Sequence, residues 1–195
     1  MSITYFQKIA TGIQFDWDVP AMLSKIPGTP NANSIWMKSA AGEVTDQIYF
    51  SEHFHITFPI EFSQACIVVR DLQSACANLN DPSDLIQDFL KYNPALSELP
   101  RINLVKTKPG VSVVPHVDGN RLIVLNLGLV NSNIGETQIS GAATRFEFYQ
   151  SPYESYIMED GDAYLLRTGN VHAVRALTPL ESGPDRYILS VCVKF

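Results

Sequence analysis

Hydrophobic and polar residues alternate through the second half of the chain in short runs, broken at even intervals by turn residues. Eight such runs occupy Ile102–Thr107, Val111–Val117, Leu122–Leu129, Arg145–Gln150, Ser155–Glu159, Ala163–Arg167, His172–Leu177 and Arg186–Lys194. Between them stand Lys108-Pro109-Gly110, Asp118-Gly119-Asn120, Asn131-Ser132-Asn133, Ser151-Pro152-Tyr153, Asp160-Gly161-Asp162, Thr168-Gly169-Asn170 and Ser182-Gly183-Pro184. Runs rich in β-branched and aromatic residues, bounded by such turns, predict strands, and their spacing predicts a sandwich or barrel. Eight strands in two facing sheets is the jelly-roll count, an arrangement that leaves few exposed sheet edges.

The first hundred residues carry mixed periods. Ile3–Ile9 reads as a short strand and Tyr49–Pro59 as another. Asp18 followed by Pro20 predicts a helix start, with Ala21–Lys25 as its body. Ile26–Ala41, containing Pro27, Gly28, Pro30, Asn31 and Asn33, reads as a loop by turn chemistry. Cys66–Leu79 is open between strand and helix, because CIVV favours one and LQSACANL the other. Asp81-Pro82-Ser83-Asp84 caps a helix whose apolar stripe is Leu85, Ile86, Phe89 and Leu90, ended by Asn93-Pro94. The expected fold is mainly β with flanking helices (α+β): one domain over 1–195, with 1–100 as a mixed support layer and 101–195 as a jelly-roll, cupin-like core.

Composition narrows the function. The 195 residues are 46% hydrophobic, enough for one packed core, and the net charge is −6. With no Lys/Arg cluster, a nucleic-acid partner is not expected, while one placed arginine suffices for a small anion. Three widely spaced cysteines, Cys66, Cys76 and Cys192, without a CxxC pair read as reduced thiols of a cytoplasmic protein. The first residues lack the basic and apolar regions of a signal peptide, and no apolar run is long enough to span a bilayer.

The chemistry concentrates in Pro109–Leu129. His116 and Asp118, two apart at the end of a predicted strand, point to one side. His172 opens the seventh run, 54 residues after Asp118. In a jelly roll both strand ends reach one mouth. Two imidazoles and a carboxylate suit iron, manganese or another divalent ion with open positions, whereas a closed structural zinc site wants a fourth protein ligand. Asp118 has a rival reading as turn chemistry in Asp-Gly-Asn. Arg186, Ile188, Ser190 and Cys192 share one face of the last run. An inward arginine calls for an anion, held through two parallel hydrogen bonds, unless Arg186 is a surface residue following the turn. His53 and His55 form an HxH pair without a third ligand nearby. Trp17, Trp36 and Tyr49 are candidate ligand covers, though aromatic residues are commoner as core. Asn131–Ala143 is a candidate mobile flap.

With these residues in place, Lys108–Leu129 followed by His172 and Arg186 resembles the iron(II)- and 2-oxoglutarate-dependent dioxygenases, in their aspartyl/asparaginyl β-hydroxylase-like branch. The shared motifs are Pro109-Gly110, Pro115-His116, Asn120-Arg121 and Asn126-Leu127-Gly128-Leu129, with Val174 two residues after His172. The resemblance implies a double-stranded β-helix and a hydroxylase holding Fe(II) by His116, Asp118 and His172. It further implies 2-oxoglutarate anchored by Arg186, dioxygen as co-reactant, and an amino-acid, peptide or other small-molecule substrate. Two departures stand out. Some members lack the carboxylate that Asp118 supplies, and an arginine found in some members two residues before the strand histidine is Val124 here, with Asn126 at the histidine position. Arg121 and Asn126 are therefore candidates for the inner end of the cosubstrate. The rival readings are a cupin-like metal-dependent isomerase or hydrolase and a non-catalytic ligand-binding jelly roll.

Overall fold

The computed structural model describes residues 3–15, 18, 34–38, 44–50, 60–92, 101–107, 109–110, 112–118, 122–130, 134–135, 138–139, 144–150, 153–178, 183 and 185–192. The strands are β1 (Phe6–Ala10), β2 (Ser34–Lys38), β3 (Val44–Phe50), β4 (Arg101–Thr107), β5 (Val113–His116), β6 (Val124–Val130) and β7 (Ile134–Gly135). They continue as β8 (Gln138–Ile139), β9 (Thr144–Phe148), β10 (Glu154–Ile157), β11 (Ala163–Leu166), β12 (His172–Ala176) and β13 (Arg186–Cys192). Among the described residues two helices, α1 (Ile60–Ala77) and α2 (Asp84–Tyr92), lie between β3 and β4.

All eight predicted strands are present, and they divide four and four. One sheet has the order β1-β11-β6-β13-β4-β3-β2; the other has β10-β9-β12-β5, and β7 pairs with β8 by itself. The core of the larger sheet, β11-β6-β13-β4, faces the four-stranded sheet, and every pairing recorded in either sheet is antiparallel. Alternation assigns the faces. On β13, Ile188 packs into the aromatic interior with Phe146, Phe148, Tyr156 and Tyr164, while Tyr187, Leu189 and Val191 pack outward against the helices. On β6, Leu125 and Leu127 face the helices and are fully buried, as is Leu165 of β11. Because this sheet is covered on both faces, its central strands read as almost unbroken apolar runs. Each fully buried leucine contributes about 1.5–3 kcal/mol.

Helix α1 settles the ambiguity over Cys66–Leu79. Ala65, Cys66, Val69, Leu72 and Cys76 are buried at helical spacing, whereas Ile67 in the β-branched run is 56% exposed. Periodicity over eighteen residues outweighs the local β preference of Ile67-Val68-Val69. Helix α2 begins as the sequence predicts: the Ser83 hydroxyl accepts the Ile86 N–H at 3.3 Å, and Gln87 N–H bonds the Ser83 carbonyl at 2.9 Å. Leu85, Ile86 and Phe89 are its buried stripe.

Two expectations for the first hundred residues need correction. Ile26–Ala41 is not a loop throughout, since β2 pairs with β3 from Ser34↔Ile48 to Lys38↔Val44. Nor are the early strands a separate layer: β1 joins β11, and β3 joins β4, so they widen the larger sheet. The strand expected over Tyr49–Pro59 begins earlier, at Val44, and its part beyond Phe50 lies outside the described residues. So do the helix expected over Ala21–Lys25, His53, His55 and Trp17, the side chains of Trp36 and Tyr49, and most of Asn131–Ala143. Among the described residues no helix is long and apolar enough to cross a membrane.

Candidate metal centre

His116 ends β5, Asp118 follows it, and His172 opens β12. The two histidines face each other as register partners, their rings 4.3 Å apart. A β-bulge makes this possible. His172 pairs with His116 and Val174 with Val113, so β5 takes three steps where β12 takes two. The extra residue turns both Val113 and His116 into the cavity, which strict alternation would forbid. Asp118 is fixed by its backbone, whose N–H donates to the Thr168 carbonyl at 3.0 Å, and the loop before His172 is fastened by Gly169 N–H to the Leu122 carbonyl at 3.1 Å.

Each histidine is oriented by the carbonyl two residues before it. His116 Nδ1 lies 2.7 Å from the Val114 oxygen, and His172 Nδ1 lies 2.9 Å from the Asn170 oxygen. A carbonyl only accepts, so each Nδ1 carries a proton, and in the neutral imidazole the lone pair is then on Nε2. His116 Nε2 is 3.6 Å from Asp118 Oδ1. One ligand atom from each of His116, Asp118 and His172 lies within 4.8 Å of the others. Neighbouring ligands on a six-coordinate ion lie about 3 Å apart at metal–ligand lengths of about 2.1 Å, so a small inward movement closes this set on one cation. Two imidazoles and a carboxylate fit iron(II) with open positions.

The triad lines a cavity of about 90 Å³ between the two sheets. Arg186, Thr107, Asn126, Ser190 and Val124 line it together with the triad. Arg186 is inward, as its alternation predicts, and 3% exposed. Its guanidinium donates to Thr107 Oγ1 at 3.0 Å, and it lies over the Phe146 ring at 5.7 Å. Burial pulls its pKa down to about 10, so it remains a cation at neutral pH. Asn126 is 6% exposed and its Oδ1 is buried without a hydrogen-bond partner among the described residues. A buried cation in one cavity with a triad of metal-ligand type fits an anionic chelating ligand such as 2-oxoglutarate. Arg121 lies outside the described residues. Cys192 does too as a side chain, but Ile188 and Ser190 share the Arg186 face as expected.

Sequence reasoning missed Thr107, whose register opposite Arg186 on β4 becomes visible only in the paired sheet. It also missed Thr168, which aligns Asp118, and the carboxylate Glu147 on the outer face of the smaller sheet. Glu147 is buried, and Arg175 Nε and Tyr149 Oη donate to it at 2.8 and 2.6 Å. Burial alone would raise its pKa; hydrogen bonds from Arg175, Tyr149 and Tyr153 outweigh burial and hold it below the usual value.

Four strands of the larger antiparallel sheet closed face to face on the four of the smaller, with His116, Asp118 and His172 at strand ends, define a double-stranded β-helix. Solved structures with this fold superpose on the chain. A prolyl-4-hydroxylase from Pseudomonas putida aligns over 88% of this chain and 78% of its own, at TM-score 0.51 and 15% identity. The viral collagen prolyl hydroxylase of Paramecium bursaria Chlorella virus-1, solved with 2OG, aligns over 97% and 95%, at TM-score 0.51 and 16% identity. A prolyl hydroxylase from Trichoplax adhaerens, solved with a hypoxia inducible factor peptide fragment, aligns over 97% and 83%, at TM-score 0.53 and 11% identity. No family model matches the chain, and no curated protein sequence does.

Proposed function

We propose that this protein is a non-haem iron(II)- and 2-oxoglutarate-dependent dioxygenase that hydroxylates an unactivated C–H bond. The observation that carries the proposal is the convergence of His116, Asp118 and His172 on one point of a cavity that also holds a buried arginine. When bound, iron(II) and 2-oxoglutarate supply the oxidative chemistry: dioxygen is reduced, one oxygen atom enters the C–H bond, and the keto acid leaves as succinate and carbon dioxide. The chain's own residues bind, orient and exclude water. With their Nδ1–H groups held by carbonyls, His116 and His172 would hold the cation through Nε2, and Asp118 would supply the charge. Arg186, stacked over Phe146 and bonded to Thr107, takes the far carboxylate of the keto acid in a parallel pair of hydrogen bonds. Asn126 and Arg121 are the candidates for its inner end.

An amino-acid side chain, free or within a peptide, is the proposed substrate class. The peptide complex of the Trichoplax enzyme supports it, as does the resemblance of Lys108–Leu129 to the aspartyl/asparaginyl β-hydroxylase-like branch. Dioxygen is the co-reactant, and the cytoplasm is the proposed compartment.

Anaerobic titration of the metal-free protein with iron(II) and then 2-oxoglutarate tests the reading. The expected result is the weak visible charge-transfer band of a chelated keto acid, and a folded protein without it overturns the proposal. Arg186→Ala is expected to weaken 2-oxoglutarate by about 30-fold or more, the scale of removing one partner from a buried charge pair, with metal affinity retained. Unchanged keto-acid binding would show that another group anchors it.

A further inference from the structure

Two carbonyls orient the two histidines, and the chain fixes those carbonyls by different means. The oxygen that holds His116 Nδ1 belongs to the Val114–Pro115 peptide, whose nitrogen carries no hydrogen. The proline ring restrains that peptide and the residue before it, so its plane is set from within the strand. The oxygen that holds His172 Nδ1, at 2.9 Å, belongs to the Asn170–Val171 peptide. A trans peptide is one rigid plate whose N–H and C=O point in opposite directions. Whatever grips the Val171 N–H therefore aims the Asn170 oxygen. Strand β9 ends at this point: Phe148 is the register partner of His172, and the Tyr149 N–H donates to the Val171 carbonyl at 3.2 Å. The half-buried Gln150 continues the ladder with its side chain. Its amide oxygen accepts the Val171 N–H at 2.9 Å, and its amide nitrogen donates to the Val171 carbonyl at 3.2 Å. The reverse orientation would set oxygen against oxygen and nitrogen against nitrogen, which assigns the amide.

We infer that Gln150 is a positioning residue for the metal centre: acting through the Asn170–Val171 peptide, its amide oxygen holds His172 with the proton on Nδ1 and leaves Nε2 for the cation. This rests on the reading of His172 as a metal ligand. The link runs from Gln150 Oε1 to the Val171 N–H, across the peptide to the Asn170 oxygen, and on to His172 Nδ1–H. Accepting from the N–H polarises the carbonyl on the other side of the same peptide, which strengthens its hold on the imidazole. Backbone satisfaction alone asks only that Val171 have partners. The shared peptide is what gives this partner a direction. The Val114–Pro115 peptide has no N–H to grip, so His116 is an internal control.

The test compares Gln150→Leu, which removes both hydrogen bonds, with Gln150→Glu, which keeps the acceptor for the Val171 N–H and loses the donor. Long-range proton–nitrogen NMR on the metal-free protein, at about pH 8.5 where an ordinary imidazole is neutral, reads the tautomer of each ring. Calorimetry with manganese(II) reads metal affinity. In the unaltered protein both rings are expected to carry the proton on Nδ1. In Gln150→Leu, His172 is expected to become a mixture of the two tautomers while His116 is unchanged, and manganese binding to weaken by about tenfold, the lower end of what disturbing a ligand's hydrogen-bond partner costs. Gln150→Glu is expected to restore both readings, because the acceptor is the part that acts. An unchanged His172 tautomer in Gln150→Leu would overturn the inference, and so would equal changes at both histidines, which would mean a general loosening of the sheet. A glutamate variant that behaves like leucine would overturn the route through the peptide. In these cases manganese binding by the unaltered protein leaves the metal reading standing. Failure of the unaltered protein to bind manganese overturns that reading and the inference with it. If Gln150→Leu does not fold, Gln150→Met, unbranched and close in length, takes its place.

Discussion

At the scale of single residues, the sharpest question concerns Asp118. Asp-Gly-Asn makes a turn unaided, so a carboxylate there has an ordinary explanation. The structure separates the two roles. The Asp118 backbone N–H is engaged with Thr168, while its side-chain oxygen sits 3.6 Å from a histidine nitrogen that offers a lone pair. Asp118→Asn keeps the turn chemistry and nearly the same shape but gives up the charge. It is expected to lower divalent-metal affinity by more than about tenfold, since disturbing even a ligand's hydrogen-bond partner costs about 10- to 100-fold. Thermal stability should change little. Isothermal titration with manganese(II) measures the first and a melting curve the second. Retained metal affinity would return Asp118 to its turn and leave two histidines as an incomplete site.

At the scale of elements, the eight strands of the core were legible because antiparallel strands joined by short turns announce both their ends and their alternation. Leu125 and Leu127 outward, with Val124 and Asn126 inward, follow from period two alone. What alternation could not supply was the bulge in β5, because an extra residue is visible only against its partner strand, and without it His116 and Val113 fall on opposite faces. Strand β2 was hidden for another reason: five residues, Ser34–Lys38, carry no turn signal of their own after a run of Pro, Gly and Asn, and β3 alone reveals them. The Leu-Gly-Leu motif, in contrast, has a clear physical basis. Gly128 N–H donates to the Asp162 carbonyl and its own carbonyl accepts from Gly161 N–H, both at 2.9 Å. A Cβ at Gly128 would lie 2.3 Å from the Glu159 carbonyl oxygen, which is backbone and cannot turn aside. Gly128→Ala is therefore expected to destabilise by about 1–3 kcal/mol or more, as overpacking does in a filled core. Urea unfolding measures it, and a neutral result would mean that the β10–β11 turn can shift. Phe89→Ala on α2 removes a fully buried ring and is expected to cost about 3–5 kcal/mol in the same assay.

At the scale of the whole molecule, the layers are tied by carboxylates that must stay ionised. Arg167, leaving β11, donates to Asp88 at 2.7 Å and to Asp84 at 3.0 Å on α2, and its Nε reaches the Thr4 carbonyl at 3.2 Å. The next residue, Thr168, supplies the carbonyl that aligns Asp118, so the helix layer is braced against the loop that carries the metal site. On the opposite side Glu147 fastens β9 to β12, the strand that His172 opens, through Arg175. Both Asp84 and Glu147 face burial, which alone would raise their pKa values. Hydrogen bonds at Thr4 and the charge of Arg167 outweigh it for Asp84, and Arg175 with two tyrosines does so for Glu147. A carboxyl whose folded pKa lies below its unfolded value binds fewer protons folded than unfolded, so stability falls as pH drops. Its contribution is complete above the ordinary values, 3.8 for Asp84 and 4.5 for Glu147, and is lost as pH falls through the lower folded values. Melting temperature is therefore expected to hold level from neutral pH down to about 5 and then decline. Glu147→Gln keeps the shape without the charge; it should melt several degrees lower at pH 7, and the gap should close as the pH falls and the native carboxyl takes up its proton. A gap that stays constant with pH would mean that Glu147 acts through packing and not through its charge.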